Sequence, residues 1–157
     1  MEYEIGPGEV TRIFSEAETK EIDAAWVKAY CKDKQGANIK AFRWHIFSFE
    51  KYPAVDGEEA NNLYLSKNEP EYIILPNDGE CAIETNQLPT ECTLMDYLVF
   101  PKNMAWTMAF THEAGWLGPY FAKHKRYEQL NRDNTLELER RMKKQKEIEL
   151  AKSKGWM

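Results

Sequence analysis

Between Ser15 and Lys32 the apolar residues Ile22, Trp26, Ala29 and Tyr30 return at helical spacing, and Ser15 with Glu18 supplies the S-x-x-E signature of a capping box. The pattern predicts a helix over 15–32 that docks through Trp26, with Lys32 and Lys34 at the negative end of its dipole and Gly36 as a left-handed stop. The run "IKAFRWHIFSF", Ile39 to Phe49, is rich in aromatics and alternates imperfectly, which predicts a strand covered partly on both faces. Phe42, Trp44, Ile46 and Ser48 then share one face, and Arg43, His45, Phe47 and Phe49 the other. After "YPAVDG", Asp56 with Glu59 reads as a second capping box opening a short helix over 57–66, with Ala60, Leu63 and Tyr64 as its apolar side.

The following segments are short and bounded by turn residues: "EYIILP", "NDG" as a hairpin signal, "ECAIET", "LMDYLVFP" and "AWTMAFTHE". They predict successive antiparallel strands, with the last turn at Pro101 and Asn103 and with "EAGWLGPYF" as an edge strand or packed loop. Beyond Phe121 the chain turns to strong helix formers without proline. Glu137 and Arg141 can pair along an exposed helix, but the seam begun by Leu138 and Met142 continues into polar Gln145 and Glu149. That helix therefore packs through its first turns, or else mediates a homodimer. The expected fold class is α+β: a single antiparallel sheet of four to six strands, flanked by the N-terminal helix and a short helix, with a long C-terminal helix. The expected organisation is an α+β domain over 1–122 and a basic helical extension over 123–157.

Composition agrees with a globular chain of 157 residues, with 43% hydrophobic, 13% aromatic and 30% charged residues. Its net charge of -5 is unevenly placed, because from Lys123 onward eleven Lys or Arg face six Asp or Glu, which leaves an acidic body and a basic tail. An acidic body repels phosphate backbones and anionic membranes and favours cationic partners, so nucleic acid has only the tail to meet. No apolar stretch approaches the roughly 18 residues of a membrane span, and the start "MEYEIGPGEV" carries no secretory pattern, so a cytoplasmic location is expected. Cys31, Cys81 and Cys92 are an odd number at spacings that suit neither a metal half-site nor a disulfide framework, and are expected to be reduced, semi-buried thiols.

Of the three histidines, His124 sits among Lys123, Lys125 and Arg126 as a solvated surface residue. His112 follows Trp106, Met108 and Phe110 at period two, which places it near the end of an apolar strand face, in a core or in a pocket. Glu113 points the opposite way if the strand continues, unless a turn at Ala114-Gly115 brings the two together. A zinc helix of the H-E-x-x-H kind is excluded because position 116 is Trp116, and "DGEEANN" lacks the alternation of a calcium loop. No phosphate loop, dinucleotide glycine pattern or activated nucleophile is present, so no metal and no cofactor is expected. What remains is an aromatic, partly polar set, Trp44, His45, Trp106, Thr111, His112, Glu113, Trp116 and Tyr120, which could line a groove, anchor a partner or fill a core.

The ordered strings "WHIFSFE", "GEEA", "WTMAFTHE" and "GPYF" resemble a family of small uncharacterised bacterial proteins, a domain of unknown function, over roughly Phe42 to Phe121. The resemblance imports no activity, but it marks Trp44, His45, Glu50, Trp106, Thr111, His112, Glu113 and Tyr120 among its shared positions; Met108 and the long basic helix depart from its pattern. Two functions stand open. The favoured one is a binding or interaction module for a cationic protein, comparable in charge and size to small immunity proteins, with Trp44, Glu50, Trp106, Thr111, Trp116 and Tyr120 as binding residues. The other is an enzyme in which His45, His112 and Glu113 converge as general acid and base.

Overall fold

The computed structural model describes residues 3–32, 39–114 and 116–155. Its elements, in chain order, are β1 (Ile5–Gly6), β2 (Val10–Ile13), α1 (Glu16–Tyr30), α2 (His45–Ser48), β3 (Val55–Asp56), α3 (Gly57–Leu65), β4 (Tyr72–Pro76), β5 (Ile83–Thr85), β6 (Glu91–Cys92), β7 (Tyr97–Pro101), β8 (Trp106–Phe110), β9 (Tyr120–Lys123) and α4 (Tyr127–Ser153). The capping box forms as the sequence predicts: the Glu18 N–H donates to the Ser15 hydroxyl at 3.1 Å, and the Glu18 carboxylate accepts from the Ser15 N–H at 3.1 Å. The expected stop signals Lys34 and Gly36 lie outside the described residues.

The fold is α+β, with a seven-stranded sheet in the order β2-β5-β4-β7-β8-β9-β3 and a separate two-stranded sheet of β1 and β6. Every neighbouring pair is antiparallel. The four strands predicted between 71 and 113 are consecutive in it, and "NDG" closes the β4–β5 hairpin with Gly79 at φ +89°. The segment after Gly115 does form a strand, β9, but not an edge, because β3 pairs outside it through Val55 with Phe121 and Asp56 with Tyr120. The larger strand count comes from β2 and β3, four and two residues long, too short for an alternation signal.

Helices and loops cover both faces of this sheet, so β4 is buried at all five positions and β7 and β8 at four each. On one face Ile73, Leu75, Leu98, Phe100, Ala109 and Ala122 pack under α1 and the 39–52 segment. On the other, Tyr72, Ile74, Val99, Trp106, Met108 and Phe121 pack under α3, Tyr3 and the first turns of α4. Helix α1 docks through Trp26, fully buried, whose Nε1 donates to Thr107 Oγ1 at 3.0 Å. That bond satisfies two polar groups that would otherwise be stranded in the core.

Two local expectations are overturned. Residues 39–49 are not a strand: Phe42 O accepts from His45 N at 3.2 Å and Trp44 O from Phe47 N at 3.0 Å, so the chain runs through turns into α2. The aromatics serve as a cover over the sheet, with Trp44 stacked on Tyr120 at 6.3 Å between ring centroids and Phe47 edge-on to Trp26 at 6.0 Å. Helix α3 forms where predicted, but Asp56 makes no side-chain cap. Its backbone is committed to pairing with β9, and Gly57 at φ +61° turns the chain into the helix.

Helix α4 has no buried residue. It is held over its first turns, where Tyr127 and Leu130 pack against the second face, Asn103 Nδ2 donates to Leu130 O at 3.0 Å and Asn134 Nδ2 donates to Asn103 Oδ1 at 3.0 Å, and further along by Arg141 with Glu71 at 2.7 Å. The Glu137–Arg141 pair forms at 2.8 Å. Cys31, Cys81 and Cys92 are free thiols. Among the described residues no helix is long and apolar enough to cross a membrane.

The costliest polar group in the core is Glu69, 6% exposed. Its Oε1 accepts from Trp106 Nε1 at 3.1 Å, while among the described residues Oε2 has no hydrogen-bond partner. Burial raises its pKa, against the opposing effects of the Trp106 bond, the Lys67 charge and Asn134. The folded state therefore holds this proton more tightly than the unfolded chain does. The stability that protonation confers is present below the ordinary carboxylate range and is lost as pH rises through the raised value. Glu69→Gln keeps the acceptor for Trp106 and removes the buried charge, so by urea denaturation it is more stable than the parent at pH 8, by about 1–3 kcal/mol. The two curves converge at pH 4, and a gap independent of pH contradicts this.

Candidate functional site

Strand β8 stops at Phe110, and beyond it Thr111, Glu113, Trp116 and Leu117 are tied together by hydrogen bonds. Thr111 Oγ1 donates to Leu117 O and accepts from Glu113 N, and Glu113 O accepts from Trp116 N at 3.0 Å and Leu117 N at 2.8 Å. Gly118 sits at φ +88°, and a Cβ there would lie 2.9 Å from Thr111 Cγ2 and 3.1 Å from the Tyr120 ring, so no other residue fits. The loop is thus closely determined, yet it leaves the Trp116 side chain standing out, 82% exposed.

Opposite Trp116, the chain leaves α2 through Glu50, a non-glycine residue at φ +57°. A left-handed conformation costs such a residue about 1–2 kcal/mol, and here it reverses the chain so that Lys51 N and Tyr52 N both donate to Ile46 O. Between this turn and the 111–119 loop lies a cleft of about 510 Å³. Phe47, Tyr52, Leu117 and Tyr120 form apolar walls, and Glu50, Asp56 and Trp116 also line the cleft. Tyr120 has a raised pKa, first through burial and then through the charges of Asp56 and Glu113, which places both carboxylates within electrostatic reach of its phenol. No lysine or arginine lines the cleft among the described residues.

Beside the cleft, Asp96 organises a second polar group. Its Oδ1 accepts from Trp44 Nε1 at 2.9 Å and from His112 N at 3.1 Å, and its two oxygens lie 2.9 and 3.0 Å from His112 Nδ1. The other ring nitrogen of His112 faces Glu113 Oε1 at 3.6 Å. The Asp96 hydrogen bond first, then the charges of Asp96 and Glu113, raise the His112 pKa above the usual imidazole value. The turn after β8 therefore brings His112 and Glu113 together, and removes His112 from the apolar face that a continued strand would have given it. His45 packs its ring against Phe42, Trp44 and Phe49, and His112 packs against the same Phe42 and Trp44. Neither histidine lines the cleft.

The residues singled out from the sequence divide by this geometry. Glu50, Trp116 and Tyr120 meet in the cleft. Trp44, Trp106 and Thr111 are 3%, 0% and 6% exposed and serve the interior, as the partner of Asp96, the partner of Glu69 and the staple of the loop. His124 is half-buried rather than solvated, edge-on to Tyr30 at 6.1 Å, and its pKa is lowered by burial and then by Arg126, Lys32 and Lys125. Asp96, at the head of β7, was not anticipated; its one signal is an acid immediately before an apolar strand. Among the described residues no group of three or more His, Cys, Asp or Glu is placed to hold a metal ion.

The model of a family described as a domain of unknown function (DUF4275) matches residues 14–121, a span that runs from the residue before the α1 cap into β9 and so contains the whole cleft. The chain belongs to that family. No curated protein and no solved structure matches it.

The Asp96–His112 pairing has a direct spectroscopic consequence. In an NMR titration His112 titrates above the ordinary imidazole range, and Asp96→Asn, which keeps an acceptor for Trp44, brings it down toward that range. The stability from this pairing is present at low pH and lost as pH rises through the raised pKa. An unchanged His112 titration in the variant contradicts the assignment.

Proposed function

We propose that this DUF4275 chain is a protein-binding module whose acidic, tryptophan-rimmed cleft receives a lysine or arginine side chain of a cationic partner. The observation that carries the reading is the convergence of Glu50, Asp56, Trp116 and Tyr120 on one cleft. An exposed tryptophan alone has no special meaning. Here a loop with a required glycine carries it, carboxylates line the same cleft, and among the described residues no cation lines the cleft to neutralise them. An indole face and a carboxylate together suit a guanidinium or ammonium group, with about 0.5–2 kcal/mol from the cation–π contact. Aromatic anchors of this kind concentrate the energy of interfaces. The acidic body adds long-range attraction for a basic surface, which speeds encounter more than it tightens the complex. Occlusion of a toxin's basic surface, as small immunity proteins achieve it, is one form such binding takes.

Proton transfer by His112 and Glu113 is the second reading, favoured by their 3.6 Å approach and by Asp96 on the other ring nitrogen. The same two carboxylates stabilise the imidazolium, however, so His112 holds its proton more firmly than a free imidazole does. The binding reading accounts for more of the exposed groups.

Titration calorimetry with two short peptides, one Arg/Lys-rich and one of the same length rich in Asp and Glu, tests it. The basic peptide binds, and Trp116→Ala and Glu50→Lys each weaken it tenfold or more with the circular dichroism spectrum unchanged. Equal affinity for the acidic peptide, or unaltered binding by both variants, overturns the reading.

A further inference from the structure

Across the Tyr52–Ala54 ridge from the acidic cleft lies a larger pocket of opposite character, about 790 Å³, between the end of α1, the 51–55 segment, α3 and β9. Its volume falls in the range of small-molecule sites, about 300–1,000 Å³. The floor is apolar, made by Tyr30, Tyr52, Val55, Leu63 and Phe121. Both tyrosine hydroxyls are already used, since Tyr30 donates to Met104 O and Tyr52 to Lys123 O, so neither hydroxyl is left over for a ligand. Among the described residues the rim carries Lys32, Lys51, Lys123 and Lys125, with Glu59 as the one carboxylate.

That rim runs against the charge of the molecule. The body is acidic, yet two of its lysines and the first two of the basic tail meet at this pocket. Among the described residues none of the four forms an ion pair; Lys123 alone is engaged, with its Nζ 4.8 Å from the Tyr127 ring centre. Glu59 and the negative end of the α1 dipole oppose an anion, and four ammonium groups outweigh them.

We infer that this pocket binds a fatty carboxylate: an aliphatic chain on the tyrosine, valine, leucine and phenylalanine floor, with its anionic head among the lysines. The lining offers apolar surface and cationic donors, with little else to recognise a nucleobase or sugar. The reading is independent of the acidic cleft, because the charge it requires has the opposite sign.

Titration calorimetry with dodecanoate below its micelle concentration tests the inference, alongside dodecanol and dodecyltrimethylammonium. Dodecanoate binds at one site, at least tenfold tighter than either analogue. The double variant Lys51→Glu/Lys125→Glu, with both changes on exposed side chains, weakens it tenfold or more, and Glu59→Gln tightens it. Amide NMR shifts on adding dodecanoate centre on Val55 and Phe121. The inference is overturned if dodecanoate fails to bind, if it binds no better than the cationic analogue, or if charge reversal leaves its affinity unchanged.

Discussion

Everything in this molecule depends on a sheet that is buried on both faces. An antiparallel sheet commonly keeps one face in water, but here β8 carries core residues on each side, with Trp106 and Met108 toward α3 and Thr107 and Ala109 toward α1. Burial on that scale requires each internal polar group to find a partner. Strand β8 meets the requirement from both sides: Thr107 receives the Trp26 indole N–H, and the Trp106 indole donates to Glu69. An indole removes about 150–250 Å² from water, so these two bonds orient the largest pieces of the core.

The cleft and the loop beside it are what this arrangement leaves over. With β8 occupied on both faces, the chain must leave the sheet after Phe110 and return as β9, and the detour is the loop that carries His112, Glu113 and Trp116. The cover over the first face likewise ends in the left-handed turn at Glu50. The two excursions meet at the acidic cleft, and the far side of Tyr52 opens into the lysine-rimmed pocket. Two pockets of opposite charge thus share one structural ridge.

Much of the frame was legible because its causes are local. Ser15 and Glu18 interact three residues apart, "NDG" closes its own hairpin, and the apolar runs at 72–76 and 97–101 become strands. The failures have non-local causes. The 39–49 segment has aromatic composition suited to a strand, but the positions beside β8 are taken, and its side chains serve better as cover for Trp26 and Tyr120. Asp56 has the spacing of a cap but is claimed by β9. Asp96 was invisible as a site residue because its partners lie 52 and 16 positions away. In the cleft, Glu50, Trp116 and Tyr120 were marked by residue type, whereas Trp44 and Trp106 were marked by the same chemistry and went to the interior. Aromatic type alone does not separate a cleft residue from a core residue.

That division of the tryptophans is the point at which fold and site can be tested together. Hydrogen exchange of the indole N–H protons, followed by NMR, reads it residue by residue. Trp26 and Trp106 are expected to exchange only through global opening, at least about a thousandfold more slowly than an unprotected indole. Trp116 exchanges at the unprotected rate. Rapid exchange at Trp26 or Trp106, or protection of Trp116 in the free protein, would contradict a doubly covered sheet with an exposed tryptophan at the cleft.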